Sequence, residues 1–280
     1  MFSELSAKGA EIADTLSSPL SSALAERDRD TLQMVRQALD RKQVALAYQP
    51  VVQANNTRKV AFYEGLIRVM DQTGRIIPAR EFIDTVEDTE LGRIIDCLAL
   101  ELGLQALAAD PHLRLSVNMS ARSVGYPRWM ATLNHGCAAN PTVAERLILE
   151  ITERSAMMMP ELVVSFMTDL QNRGVAFALD DFGAGNTAFR FLKDFFFDVV
   201  KIDGQFIRGI ADNPDNQVLT RALLSIASHF DMFAVAESVE TASDAAFLAD
   251  IGIDCLQGYY FAAPSMTAPS SVDTRAIKRA

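Results

Sequence analysis

The chain has 280 residues, 49% of them hydrophobic and 22% charged, the balance of a folded globular protein with room for one large domain. A net charge of −10 argues against binding a DNA or RNA polymer, which needs clustered Lys and Arg, but leaves room for a small anion received by metal ions or a few placed cations. Three scattered cysteines and three isolated histidines offer neither a disulfide framework nor a zinc spacing. With no apolar run long enough for membrane insertion and no signal-peptide pattern at the start, a cytoplasmic location is expected.

Residues 1–43 read as an N-terminal helical extension. They begin polar and become AERDRDTLQMVRQALDRK, where Leu24, Leu32, Val35 and Leu39 share a face. That face is expected to cover the bottom of the following domain; the alternative is contact with a partner. Strand-like runs then fall at 44–52, 60–69, 113–119, 146–152, 175–180, 197–203, 233–238 and 255–260. Helical stretches separate most of them, at 79–108, 120–139, 160–173, 186–194, 215–230 and 241–250. This alternation predicts a parallel sheet, most economically a closed (β/α)8 TIM-like barrel over 44–266. Too few residues join the first two runs for a helix, so an antiparallel first strand is expected. Residues 267–280 read as a loose C-terminal tail.

In a parallel barrel the C-terminal strand ends converge on one mouth, where chemistry is found. Near those ends stand Glu64, Asn118, Glu150, Asp180, Lys201, Glu237 and Gln257, each interrupting or closing an apolar run. Four oxygen donors, Glu64, Asn118, Glu150 and Asp180, suit a hard cation such as Mg²⁺ or Mn²⁺ rather than zinc or copper. In FALDDFGAG, Asp181 follows at once, so Asp180 could bridge two ions with Asp181 and Glu237 holding the second. Two ions about 3.5–4 Å apart clamp in-line attack on a phosphodiester. Calcium, which prefers looser and higher coordination, is expected to inhibit. Lys201 shares a face with Asp203 and could orient water or neutralise phosphate; the alternative is a salt bridge inside the barrel. Arg68 shares a face with Glu64 and Leu66 and could grip a phosphate, or pair with a neighbouring carboxylate. Gly183 and Gly185 would permit sharp turns near the ions.

The stretches YQPVV, YEGLIRV, LSVNMSARS, LILEITE, LDDFGAG, VVKIDGQFI, VAESVE and QGYYFAAP occur in the order found in the EAL-domain cyclic di-GMP phosphodiesterases. From Gln43 to Pro264 the chain resembles that family. The resemblance implies hydrolysis of cyclic di-GMP to linear pGpG with two Mg²⁺ or Mn²⁺ ions. It assigns Glu64, Asn118, Glu150 and Asp180 to the first ion and Asp181 and Glu237 to the second. Lys201 matches the lysine beside the nucleophilic water, so that Lys201, Glu237 and Glu64 carry catalysis. Arg68 and Leu66 match positions lining the dinucleotide, with Gln49, Asp203 and Gln257 nearby; Glu240 is a further acid, and Glu153 supports the glycine loop. A homodimer formed near that loop is also implied, to which Phe195–Phe197 could contribute, although core packing is the preferred reading of that run. The chain departs from the family pattern at Gly65, where a modest effect is expected, at Ala184 and Asn186, which bears on basal rate and regulation, and at Ser238. A catalytically weak module that binds cyclic di-GMP and signals to a separate regulatory protein is the alternative.

Overall fold

Apolar runs bounded by turn residues become strands wherever both faces can be covered, and β5 shows the limiting case. Its residues Leu147 to Ile151 are all buried, including the one carboxylate among them. The computed structural model describes residues 19–185 and 192–269. The expected tail from 270 onward, most of the 186–194 helix, Asn186 and the segment read for a signal peptide lie outside the described residues. Helix α1 (Pro19–Asp40) leads into β1 (Val44–Gln53), β2 (Asn56–Met70), β3 (Ile76–Pro78), α2 (Ile83–Val86) and α3 (Glu90–Ala109). There follow β4 (Leu115–Asn118), α4 (Pro127–Ala139), β5 (Leu147–Thr152), α5 (Glu153–Met158), α6 (Pro160–Gln171) and β6 (Ala176–Phe182). The chain continues through β7 (Val199–Ile202), α7 (Gly204–Ile207), α8 (Pro214–His229), β8 (Phe233–Ala236), α9 (Ala242–Asp250) and β9 (Cys255–Leu256).

The strands close in the order β1, β9, β8, β7, β6, β5, β4, β2 and back to β1. That is the eight-stranded α/β barrel expected. β1 runs antiparallel to both neighbours, β2 and β9, while β2 and β4 to β9 are parallel. Only Ala54 and Asn55 connect β1 to β2, which leaves no alternative to the hairpin. Among the described residues no helix is long and apolar enough to cross a membrane.

Inside the ring, Val51, Phe62, Ile148, Ala178, Val199, Val235 and Cys255 form one buried apolar plug. A larger core lies between the barrel wall and the helices, with Trp129, Phe166 and Phe177 in ring contact. Successive inward residues on a strand are two apart. Two steps from the plug residues therefore come Gln49, Glu64, Glu150, Asp180, Lys201, Glu237 and Gln257. The polar set is the next layer of the same barrel.

Several local expectations are corrected. The stretch 79–108 is broken: Ala79–Glu81 forms a short turn, α2 follows, and α3 starts afresh where the Thr89 hydroxyl accepts from the Leu91 N–H. Residues 71–75 form a tight connection in which Asp71 accepts from the Thr73 and Arg75 N–H groups, and β3 pairs with the end of β2. α5 was not foreseen; the Thr152 hydroxyl caps it by accepting from the Ser155 N–H. α1 does not plug the barrel bottom. Its buried face, with Val35, Ala38 and Leu39, leads into Gln43, whose carbonyl accepts from the Met70 N–H at the mouth end of β2. In the Phe run, Phe195 and Phe197 stack in the core at 5.5 Å, whereas Phe196 is exposed.

Candidate active site

Lys201 is 1% exposed and occupies the centre of the polar layer. Its Nζ lies 2.7 Å from Glu237, 2.8 Å from Glu150, 3.3 Å from Asp180 and 3.4 Å from Glu64. An ammonium so buried is tenable only with compensating anions. Burial would push its pKa down, but the charges of Asp180, Glu150, Glu237 and Glu64 together hold it well above the ordinary lysine value. The lone salt bridge considered from sequence is instead a four-carboxylate cage.

The carboxylates differ among themselves. Burial works to raise the Glu64 carboxyl, yet Lys201 and hydrogen bonds from Gln257 and Asn118 bring it below the usual value. Asn118 Nδ2 donates to Glu64 Oε1 at 3.0 Å, and Gln257 Nε2 donates to Glu64 Oε2 at 2.6 Å. Gln257 Nε2 also approaches Gln49 Oε1 at 3.3 Å, and Gln49 Nε2 donates to the Ala262 carbonyl. Gln49 and Gln257 thus orient Glu64. Burial and the Glu64 charge push Glu150 well above the usual carboxylate value, and burial, despite Lys201, takes Glu237 up to about 8.

The two adjacent aspartates of β6 would point to opposite faces of a regular strand. They do not, because β6 carries one residue more than β7 between the Leu179–Val200 and Phe182–Ile202 pairs, and Asp181 takes a left-handed φ of 56°. As a result one oxygen each of Asp180, Asp181 and Glu237 lie within 4.8 Å of one another. Partial burial and the Asp180 charge push Asp181 up to about 6. Without a further counter-charge, Asp181 and Glu237 hold a proton more readily than ordinary carboxylates.

The residues fit a pair of hard divalent cations. All the donors are oxygens, and Glu150 Oε1 is buried with no hydrogen-bond partner. Glu64, Glu150, Asp180, Asp181 and Glu237 less Lys201 leave four formal negative charges, which two divalent cations would balance.

Above this floor opens a cleft of about 530 Å³. Leu66 and Glu240 line it, together with Arg80, Arg208 and Tyr259, none of which the sequence singled out as a site residue. Tyr259 sits within the quoted QGYYFAAP, whereas Arg80 and Arg208 follow strand ends without any distinguishing pattern. Arg68, half-buried on β2, donates from Nη1 to the Ile67 carbonyl at 2.9 Å, and Glu64, Arg80 and Tyr259 of the cleft lie close enough to act on its charge. Asp203 caps α7 by accepting from the Gln205 N–H, and its charge reaches Asp181. Glu153 is buried and accepts from the Gly183 N–H at 3.3 Å. Gly183, at φ 91°, needs its freedom, since a Cβ there would meet Phe206 at 2.8 Å. Gly185 has open space and no positive φ, so no such requirement holds it.

Residues 32–264 match the family model described as the EAL domain. The chain is 29% identical over 249 residues to MucR of Pseudomonas aeruginosa, named a bifunctional diguanylate cyclase/cyclic di-GMP phosphodiesterase, covering 86% of this chain and 36% of that one. It is 30% identical over 234 residues to the cyclic di-GMP phosphodiesterase PdeF of Escherichia coli, covering 82% and 31%. It therefore spans about a third of the length of these relatives. Among solved structures, the Pseudomonas aeruginosa MucR phosphodiesterase in its c-di-GMP complex superposes with a TM-score of 0.76 at 29% identity, over 84% of this chain and 97% of that one. The FimX EAL domain of Pseudomonas aeruginosa bound to c-di-GMP gives 0.78 at 25% identity, over 86% and 98%. The chain belongs to the EAL domain family.

Proposed function

We propose that the protein hydrolyses one phosphodiester of cyclic di-GMP to linear pGpG, using two Mg²⁺ or Mn²⁺ ions. The observation that carries this reading is the meeting of Asp180, Asp181 and Glu237 within 4.8 Å, next to the Lys201 cage. Glu64, Asn118, Glu150 and Asp180 would hold one ion, and Asp180, Asp181 and Glu237 the other. Bound there, the ions supply charge neutralisation for an in-line displacement.

The rest falls to the chain itself. Glu64 is kept ionised and correctly turned by Asn118 and Gln257. Lys201, fixed by four carboxylates, presents an ammonium beside the attacking water and the phosphate oxygens. Glu237 contacts Lys201 at 2.7 Å and so ties the second-ion ligands to the ammonium. Asp203 and Glu153 brace the elements around the Asp181 loop.

A receptor reading, in which the barrel binds cyclic di-GMP, signals to a partner and turns it over weakly, draws on one observation. Lys201 already compensates four carboxylates by direct contact. Incubation of the purified protein with cyclic di-GMP and Mg²⁺ or Mn²⁺, with an EDTA control, separates the two. Metal-dependent pGpG establishes the enzyme; saturable binding without product establishes the receptor.

A further inference from the structure

Resting on that reading, the ligand carries two phosphodiester charges into an acidic mouth, so cations must receive it. Among the described residues the mouth offers few. Lys201 is buried with its ammonium engaged by four carboxylates. Arg68, on β2, already gives Nη1 to the Ile67 carbonyl at 2.9 Å, with Glu64, Arg80 and Tyr259 acting on its charge. Arg80 reaches the cleft with Nη1 donating to the Tyr259 hydroxyl at 3.3 Å. Arg208 is held more firmly, by two anchors on the loop after β8.

Its Nη2 donates to Ser238 Oγ at 3.1 Å, and its Nε lies 3.6 Å from Glu240 Oε1. Neither contact uses Nη1. Ser238 itself has a left-handed φ of 56°, a conformation most residues other than glycine avoid. It packs against Gly204, where a Cβ would lie 2.5 Å from Ser238 Oγ. The absent side chain at Gly204 and the strained backbone at Ser238 together bring a hydroxyl to the Arg208 guanidinium on the cleft wall. Backbone strain held in a cleft and spent on aiming one side chain points to a use for that side chain.

We propose that Arg208, aimed by Ser238, binds an anionic phosphate oxygen of the dinucleotide and sets its affinity. The test measures cyclic di-GMP binding by calorimetry with Ca²⁺ in place of the catalytic ions, and KM and kcat with Mn²⁺. The parent protein is compared with Arg208→Ala, Arg208→Lys, Ser238→Ala and the double variant Arg208→Ala/Ser238→Ala, each checked for a normal thermal melt. Arg208→Ala is expected to weaken binding about tenfold, with the loss falling on KM rather than kcat. Arg208→Lys should recover part of that loss. Ser238→Ala should weaken binding about threefold, yet add nothing once Arg208 is gone. Binding by Arg208→Ala within twofold of the parent overturns the assignment, and so do additive losses in the double variant. Failure of the parent to bind or hydrolyse cyclic di-GMP overturns the underlying reading and this one with it.

Discussion

Asp180 and Asp181 are consecutive residues of one strand, yet both bring a carboxylate oxygen to the same point of the barrel mouth. The extra residue in β6 and the left-handed backbone at Asp181 make this possible. A left-handed non-glycine residue costs about 1–2 kcal/mol, so the convergence is maintained against local preference. Replacing either aspartate by alanine, or Glu64 by alanine, should lower turnover by more than about a hundredfold. Removing a mere outer partner of a metal ligand already costs about 10–100-fold. The measurement is pGpG formation, with circular dichroism to verify the fold. Normal turnover by any of the three would refute the two-ion assignment.

Lys201 gives a test that does not depend on turnover. Removing one partner of a buried ion pair costs about 3–5 kcal/mol, and here four carboxylates would be left facing one another. Lys201→Met should therefore melt about 10 °C lower than the parent without added metal. Mn²⁺ should restore more of the loss than it adds to the parent, because it supplies the missing charge. A Tm unchanged by the substitution would mean that the four contacts carry no net stabilisation.

The barrel and its polar layer were legible because buried parallel strands read as apolar runs, in which Glu64, Glu150 and Lys201 stand out. The short β1–β2 link likewise announced the antiparallel start. The aim of the aspartate pair was not legible, since alternation assigns Asp180 and Asp181 to opposite faces and only the bulge overrides it. Arg68 stood out from its spacing, whereas Arg80 and Arg208, which line the cleft, did not. Both follow strand ends on connections whose path depends on tertiary packing. β3 has only three residues and carries no pattern of its own, although it sets the position from which Arg80 enters the cleft.

Calcium should occupy the carboxylate cluster without supporting turnover. It takes about 6–8 oxygens at longer distances than the tight octahedron of Mg²⁺. Glu64, Glu150 and Asp180 are held by neighbours that resist such expansion, with Glu150 1% exposed. Activity in Mn²⁺ should fall as Ca²⁺ is added and return with excess Mn²⁺. Full activity with Ca²⁺ alone would exclude a site of this rigidity.

Away from the cluster, Asp96 makes stability depend on pH. Its buried carboxylate accepts from the Ser120 N–H at 3.0 Å and the Ser123 hydroxyl at 2.6 Å, pinning the turn after β4. Burial nevertheless dominates, and raises the carboxyl from 3.8 to about 6. The sign follows from which state binds the proton more tightly. Below pH 3.8 Asp96 is protonated in both states and contributes no difference. Between 3.8 and about 6 the unfolded chain ionises first, so the folded state loses stability progressively, and above about 6 the whole penalty is present. Two pKa units correspond to about 3 kcal/mol. Asp96→Asn keeps an acceptor for both donors and cannot ionise. Relative to the parent, its Tm should rise as pH goes from 4.5 to 7.5, by several degrees. A Tm difference that stays constant over that range would show that Asp96 does not titrate between the two states.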